Sequence, residues 1–168
     1  MDKPSNDVLS VPLCQYVLGK DYDEGNVMRL IPIDEENRAF YQKFENARDL
    51  TSYMSRIYPD NGSSYLNWMY IEEDEHYIGS IWLEGKDTCL AKLGIFIAEP
   101  SYRNKGLGKK AIQQMLVIAK SNGINIITLN VRLENARAIK VYTDCGFKIK
   151  ARFRKENGID VLSMELRI

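Results

Sequence analysis

The sequence predicts a mixed α/β fold, one central sheet with helices on its faces. Three observations predict it. Short runs rich in β-branched and aromatic residues recur along the chain, separated by turn-forming clusters. In the second half a buried run, Ile95-Phe96-Ile97-Ala98, passes through a glycine turn into an apolar-periodic helix, and a second buried run, residues 126–133, follows. The chain then closes on Asn157-Gly158, a strong hairpin signal, between two further strands. The strand–helix–strand passage should place the strands near 93–98 and 126–131 parallel, joined by a right-handed crossover.

Taken in order, residues 1–7 read as a loose polar tail. Residues 8–18 and 27–33 read as strands, with 19–26 a polar connection. Asp34 can cap a helix over roughly 35–45, and Asn46 or Asp49 another that ends before Pro59. Phe40, Tyr41, Phe44, Tyr53 and Tyr58 fall at helical intervals, the pattern of core residues. Asp60-Asn61-Gly62-Ser63 is a turn. Residues 65–72 and 76–84 form a hairpin around Glu73-Asp74-Glu75, residues 84–87 the next turn, and 89–98 the next strand. The helix after Gly108 should reach about Lys120, burying Ala111, Met115, Ile118 and Ala119, and stop at Asn122-Gly123. Residues 148–154 and 159–167 make the last hairpin. With no repeat and no linker, residues 1–168 are expected to form a single domain.

Composition narrows the function classes. A hydrophobic fraction of 45% and a charged fraction of 27% are ordinary for a globular protein. Lys plus Arg balances Asp plus Glu at 23 each, which gives no general case for nucleic acid or a membrane surface. Cys14, Cys89 and Cys145 are too few and too widely spaced for a disulfide framework or a metal site. Cys145 falls at a helix C-terminus, where the dipole disfavours a thiolate, and His76 is the one histidine, so a Cys–His pair is a minor reading. The polar start has no apolar core of a signal peptide and no segment approaches a membrane span, so the cytoplasm is the expected location.

The strand-to-helix turn reads Arg103-Asn104-Lys105-Gly106-Leu107-Gly108. Two glycines let a bulky group approach the main chain. The first N–H groups of the helix have no partner within it, and its dipole favours an anion. Arg103, Lys105, Lys109 and Lys110 add positive charge there. A phosphate or pyrophosphate suits such a turn; a tight turn with solvated lysines is the plain alternative. In the second segment Asn135 suits an N-cap and Gly146 a helix stop, with Phe147 packing back. Tyr142, seven residues after Asn135, lies near the same helix face as Ala138 and Ile139. That pattern fits a ligand-lining face or a simple capped amphipathic helix.

Together these two segments resemble the GNAT superfamily of acyl-coenzyme A-dependent N-acyltransferases. Arg103-x-x-Gly106-x-Gly108 is similar to its pyrophosphate motif, and Asn135, Ala138, Tyr142, Gly146 and Phe147 to its later signature. The likeness covers about residues 65–167. It implies a GNAT-like mixed sheet whose two central strands splay apart, with the pantetheine arm in the gap. It implies acetyl-coenzyme A (acetyl-CoA) as co-substrate and direct attack by a primary amine, of a small molecule or a protein N-terminus. Residues 103 to 109 (Arg103, Asn104, Lys105, Gly106, Leu107, Gly108 and Lys109) would then hold the pyrophosphate. Phe96, Ile97 and Ala98 would read the pantetheine and thioester, with Asn135 and Tyr142 beside the cofactor and Tyr142 as acid for the leaving thiolate. Where the family often carries a carboxylate base this chain has Lys92 and Asn130. Asn130 could relay a proton through water, or Glu84, Glu45 or Glu99 could serve. The acceptor pocket would lie between the first helical region and the final hairpin, where a subset of the aromatics could face an amine. Asp34, Glu35, Glu36, Glu45 and Asp49 could guide a cationic acceptor or form a solvated face. A homodimer is compatible with the family. A non-catalytic acyl-CoA sensor or interaction module of the same fold is the alternative. A dinucleotide-binding oxidoreductase fits poorly: Gly106-x-Gly108-x-x-Ala111 sits past mid-chain, and no acid ends the next strand.

Overall fold

The computed structural model describes residues 27–47, 49–86 and 89–168; the expected tail, the strand at 8–18, the connection 19–26 and Cys14 lie outside them. Seven strands form one sheet: β1 (Arg29–Pro32), β2 (Tyr65–Glu73), β3 (His76–Gly85), β4 (Leu90–Ile97), β5 (Ile126–Arg132), β6 (Lys148–Arg154) and β7 (Asp160–Arg167). Their order is β1-β2-β3-β4-β5-β7-β6, and the one parallel pair is β4–β5. The helices are α1 (Gln42–Glu45), α2 (Leu107–Ser121) and α3 (Ala136–Asp144). The β2–β3 turn carries positive φ at both Asp74 (51°) and Glu75 (62°), so an acidic pair fills the two-residue turn that more often takes Asn-Gly.

Side-chain alternation gives the sheet two different faces. On one, Ile81, Ile127, Leu129 and Met164 pack with Ala111, Ile112 and Met115 of α2. On the other, Tyr70, Trp82, Phe96 and Ala98 meet Tyr41, Phe44 and Leu50. Ile118, expected on the buried side of α2, is only partly buried; Leu107 and Ile112 supply the missing core contacts.

The long helices expected over 35–58 shrink to a 3-10 turn at Arg38–Tyr41 running into α1, and a 3-10 turn at Leu50–Ser52. Asp34 does not cap the first: its Oδ1 accepts from the N–H groups of Glu36 (2.9 Å) and Asn37 (3.0 Å) in the turn ahead of it, and the N-cap is Asn37, with no side-chain cap. Burial explains the break. Tyr41, Phe44 and Leu50 all reach the aromatic face of the sheet, and the Tyr41 hydroxyl donates to the Ile57 carbonyl. The chain bends to follow that face, because contacts with the sheet outweigh the small gain from extending a short helix. Among the described residues no helix is long and apolar enough to cross a membrane.

One irregularity positions everything that follows. β4 and β5 pair only at Leu90↔Ile126, Ala91↔Ile127 and Lys92↔Thr128. β4 continues to Ile97 and β5 to Arg132 without further pairing between them.

Candidate active site

A cleft of about 550 Å³ occupies the gap between the parted strands. Gly94, Ile95, Phe96 and Ile97 form one wall, Asn130 and Val131 the other, and the 103–109 turn and α3 close one end.

Ladder alternation decides which main-chain groups the β4 wall offers. The Ala98 N–H donates to the Ile78 carbonyl on β3 (2.7 Å), while the Cys89 carbonyl accepts from Asn125 and Ile126 on the β5 side. Odd-numbered β4 residues therefore face the gap. Of the expected trio Phe96, Ile97 and Ala98, only Ile97 turns its N–H into the cleft; Ile95, which no motif singles out, joins it. Phe96 lines the cleft while buried in the aromatic face, and the Ala98 side chain stands outside the cleft.

The turn into α2 is open and uncapped. Asn104 (φ 63°) and Gly106 (φ 77°) are left-handed, and Gly106 is the N-cap with no side-chain cap. The first helical bond is Lys110 N–H to the Gly106 carbonyl (3.1 Å). The N–H groups of Leu107, Gly108 and Lys109 thus have no partner within the helix. A Cβ built at Gly106 or Gly108 meets nothing within 4 Å. Lys109 lines the cleft, whereas Lys105 stands outside it with its ammonium 5.5 Å from the centre of the Tyr102 ring. Arg103 braces the turn. It donates to the carbonyls of Ile97 (2.8 Å) and Ala98 (3.1 Å) and pairs with Asp49 (2.5 Å).

On α3 the Asn135 side chain accepts from the Ala138 N–H at 3.2 Å, a working N-cap. Asn135, Ala138 and Tyr142 all line the cleft from one helix face. The Tyr142 ring packs edge-on to Phe147 at 6.0 Å. Burial, then the neighbouring Cys145, pushes the Tyr142 phenol up to about 12. Burial also raises the Cys145 thiol above its ordinary value, so it is no ready nucleophile.

The proton acceptor named by sequence is less available. Glu84 is 4% exposed, ion-paired with Arg56, and accepts the Asp60 N–H. Glu45 and Glu99 stand outside the cleft lining, and among the described residues Glu134 is the one carboxylate in it. Asn130 is exposed on β5, opposite Ser163 on β7. Lys92 stands opposite Glu84 at the last paired position; burial, then Arg56, lowers its amine below the ordinary lysine value. Of the expected aromatics, Tyr53 is 50% exposed and reaches the cleft, whereas Tyr41 and Phe44 are core. Arg56, Arg132, Glu134 and Lys155 were not singled out by sequence; they lie far apart along the chain and converge only through the fold.

Fold and cleft combine a mixed sheet, two parallel strands that part around a cleft, and an open helix N-terminus at one end of it. The sequence matches the Acetyltransferase (GNAT) family over residues 30–147, and the chain belongs to that family. The [ribosomal protein bS18]-alanine N-acetyltransferase of Haemophilus ducreyi is 29% identical over 114 residues, 66% of this chain and 74% of that protein. The mycothiol acetyltransferase of Beutenbergia cavernae is 28% identical over 83 residues, 49% of this chain; the match spans only 28% of that protein's own length. Among solved structures, spermidine N-acetyltransferase from Vibrio cholerae, in complex with CoA and spermine, shares the fold. Its TM-score is 0.70 at 20% identity, covering 83% of this chain and 95% of that one.

Proposed function

We propose that this protein is an N-acetyltransferase that moves an acetyl group from acetyl-CoA to a primary amine by direct attack. One observation carries the proposal: an unpartnered helix N-terminus with open glycines sits at the mouth of a gap between two parted parallel strands. The N–H groups at 107–109, with Asn104, Gly106, Gly108 and Lys109, suit a pyrophosphate. Arg103 acts behind them by holding the turn in shape. The inward N–H groups of Ile95 and Ile97 suit an extended amide-bearing arm, and one of them can donate to the carbonyl oxygen as it gains charge.

Tyr142 is the donor toward the leaving sulfur. A phenol near 12 keeps its proton at neutral pH. Handing that proton fully to a thiolate is uphill, because an alkanethiol titrates below such a phenol. Tyr142 therefore stabilises the thiolate by a hydrogen bond, and solvent at the open cleft supplies the proton. Asn130 positions a water that takes the proton from the incoming ammonium. A cytoplasmic setting supplies the co-substrate and keeps Cys145 reduced. Self-association belongs to the proposal because the Vibrio cholerae spermidine enzyme is dodecameric; a homodimer is the assembly to seek by sedimentation.

The experiment is thiol release from acetyl-CoA across a panel of amines, paired with thermal shifts by CoA, NAD and ATP. Ligand at 100 times its dissociation constant adds about 2.7 kcal/mol. A shift with NAD and none with CoA overturns the proposal. The second reading, a non-catalytic acyl-CoA sensor, is favoured by Lys92 and Asn130 standing where a carboxylate would serve; CoA binding without turnover of any amine would establish it.

A further inference from the structure

The basic residues of the cleft fall into two sets. Arg103, Lys109 and Arg137 flank the phosphate end, on the turn, α2 and α3, with Arg103 already paired to Asp49. Arg56, Lys92, Arg132 and Lys155 line the rest of the cleft. Lys92 shares the parity of Phe96 and Ala98, so it projects from the aromatic face and not from the face that packs on α2. It is five residues before Ile97, roughly 17 Å down the strand from the phosphate end. That distance separates it from a pyrophosphate held at 107–109. Arg132, an even-numbered β5 residue, projects from the same face as Lys92, away from the α2 core, so the second set addresses the other reactant.

Within this set four cations outnumber the carboxylates near them, Glu84 and Asp60, which both attract Lys92, and Glu134. Glu84 neutralises Arg56. Asp60, the next carboxylate, turns back to the Gly62 N–H (3.0 Å) and stands outside the cleft lining. Arg132 reaches across the cleft, but to an uncharged group, the Ser52 carbonyl (2.6 Å). Among the described residues neither Lys92 nor Lys155 forms a salt bridge. By contrast two carboxylates of the final hairpin are already occupied, Asp160 by Arg152 and Arg154, and Glu165 by Lys150 and Arg167, while Glu156 stands outside the cleft lining. Lys92 at the paired end of β4, Arg132 at the open end of β5 and Lys155 just past β6 thus give the aromatic-face side of the cleft a positive field, against one lining carboxylate among the described residues, Glu134. Such a field repels a polyamine or an aminoglycoside and attracts an acceptor with an anion of its own.

We infer that the acceptor is a small primary amine that also carries an anionic group, carboxylate or phosphate, held by Lys92, Arg132 and Lys155 while its amine faces the parted strands. This rests on the acetyl-transfer reading and names the substrate class of the same site.

The test measures kcat/KM with acetyl-CoA for β-alanine, O-phosphoethanolamine, propylamine, spermidine and kanamycin at low ionic strength. The expected result is a preference of at least about tenfold for the anionic amines over propylamine, with the two polycations last; β-alanine against O-phosphoethanolamine separates carboxylate from phosphate. Lys155→Glu lies in the surface loop between β6 and β7 and should remove the preference through KM, leaving the thermal shift by CoA unchanged. Spermidine or kanamycin as the best acceptor overturns the inference while acetyl transfer stands, as does an unchanged order of amines in Lys155→Glu. If no amine is turned over, acetyl transfer itself fails. The inference is then read from thermal shifts of the CoA-bound protein by the same amines, and equal or stronger binding of the polycations overturns it.

Discussion

Trp82 stands directly across the β3–β4 ladder from Gly94, and its indole fills the space that any side chain at 94 would need. A Cβ there would lie 2.1 Å from the ring carbon Cε2. Gly94 is the second β4 residue past the last β4–β5 pair, so the ring covers the strand just where the cleft opens. Trp82 is 2% exposed and cannot swing into solvent without leaving the core. Gly94→Ala should therefore cost about 1–3 kcal/mol through overpacking, seen as a lower Tm, and should weaken CoA binding by displacing the β4 wall. An unchanged Tm would show that the indole yields freely.

Gly106 and Gly108 should respond in opposite ways. Gly106 is held at φ 77°, so Gly106→Ala strains the turn and should lower stability by about 1 kcal/mol although nothing stands within 4 Å of its Cβ. Gly108 lies inside α2 with ordinary φ and open space before it. Gly108→Val should keep the fold, yet put a branched side chain where the anion is proposed to sit, and lower CoA affinity at least about tenfold. Calorimetric titration and thermal denaturation of both variants check this. Full affinity in Gly108→Val would remove the turn from the site.

The Arg103–Asp49 pair should give a small acid-sensitive contribution. The Arg103 guanidinium holds the Asp49 carboxyl below its usual value. A depressed folded-state pKa adds stability above the unfolded value, near 3.9, and that stability fades as pH falls through the folded value. Asp49 is 43% exposed, so the contribution is small and screened by salt. Asp49→Asn should flatten the acid limb of the stability profile below about pH 4, and 1 M salt should reduce the difference from the parent. Arg103→Ala should do more, because it also releases the carbonyls of Ile97 and Ala98.

What was legible in the sequence is what local chemistry dictates. The hairpins, α2 and α3 follow from alternation, capping and glycine stops, and the open turn into α2 from Gly106 and Gly108. The parallel β4–β5 pair followed from the crossover between them. What was not legible depends on register and on distant packing. Register alone decides that Ile95 and Ile97, and not Ala98, face the gap. Tertiary burial of Tyr41, Phe44 and Leu50 cuts the expected helices into turns. Glu84 read as a candidate base, because nothing local to it shows that Arg56, 28 residues away, occupies its carboxylate. The positive side of the cleft was hidden for the same reason: Lys92, Arg132 and Lys155 come from three strands or their ends.

Tyr142→Phe tests chemistry and stability in one variant. The ring still packs on Phe147, so the fold should hold. If the hydroxyl donates to the departing sulfur, turnover should fall about a hundredfold with CoA affinity little changed. A role in packing alone predicts a parental rate. Stability at high pH gives a second, independent reading. The phenol is raised to about 12 in the folded protein against about 10 unfolded. A raised folded-state pKa gives stability that is fully present below the unfolded value and is lost as pH climbs through the folded one. The parent should therefore lose up to about 2–3 kcal/mol from this group between pH 10 and 12. Tyr41 and Tyr70 are also raised to about 12 and titrate in the same window in both proteins, so the difference between parent and variant isolates Tyr142. Parallel alkaline limbs would mean that the Tyr142 hydroxyl is solvated. The proposed hydrogen bond to sulfur would then have to form in water, where it stabilises a thiolate too little to account for a hundredfold effect.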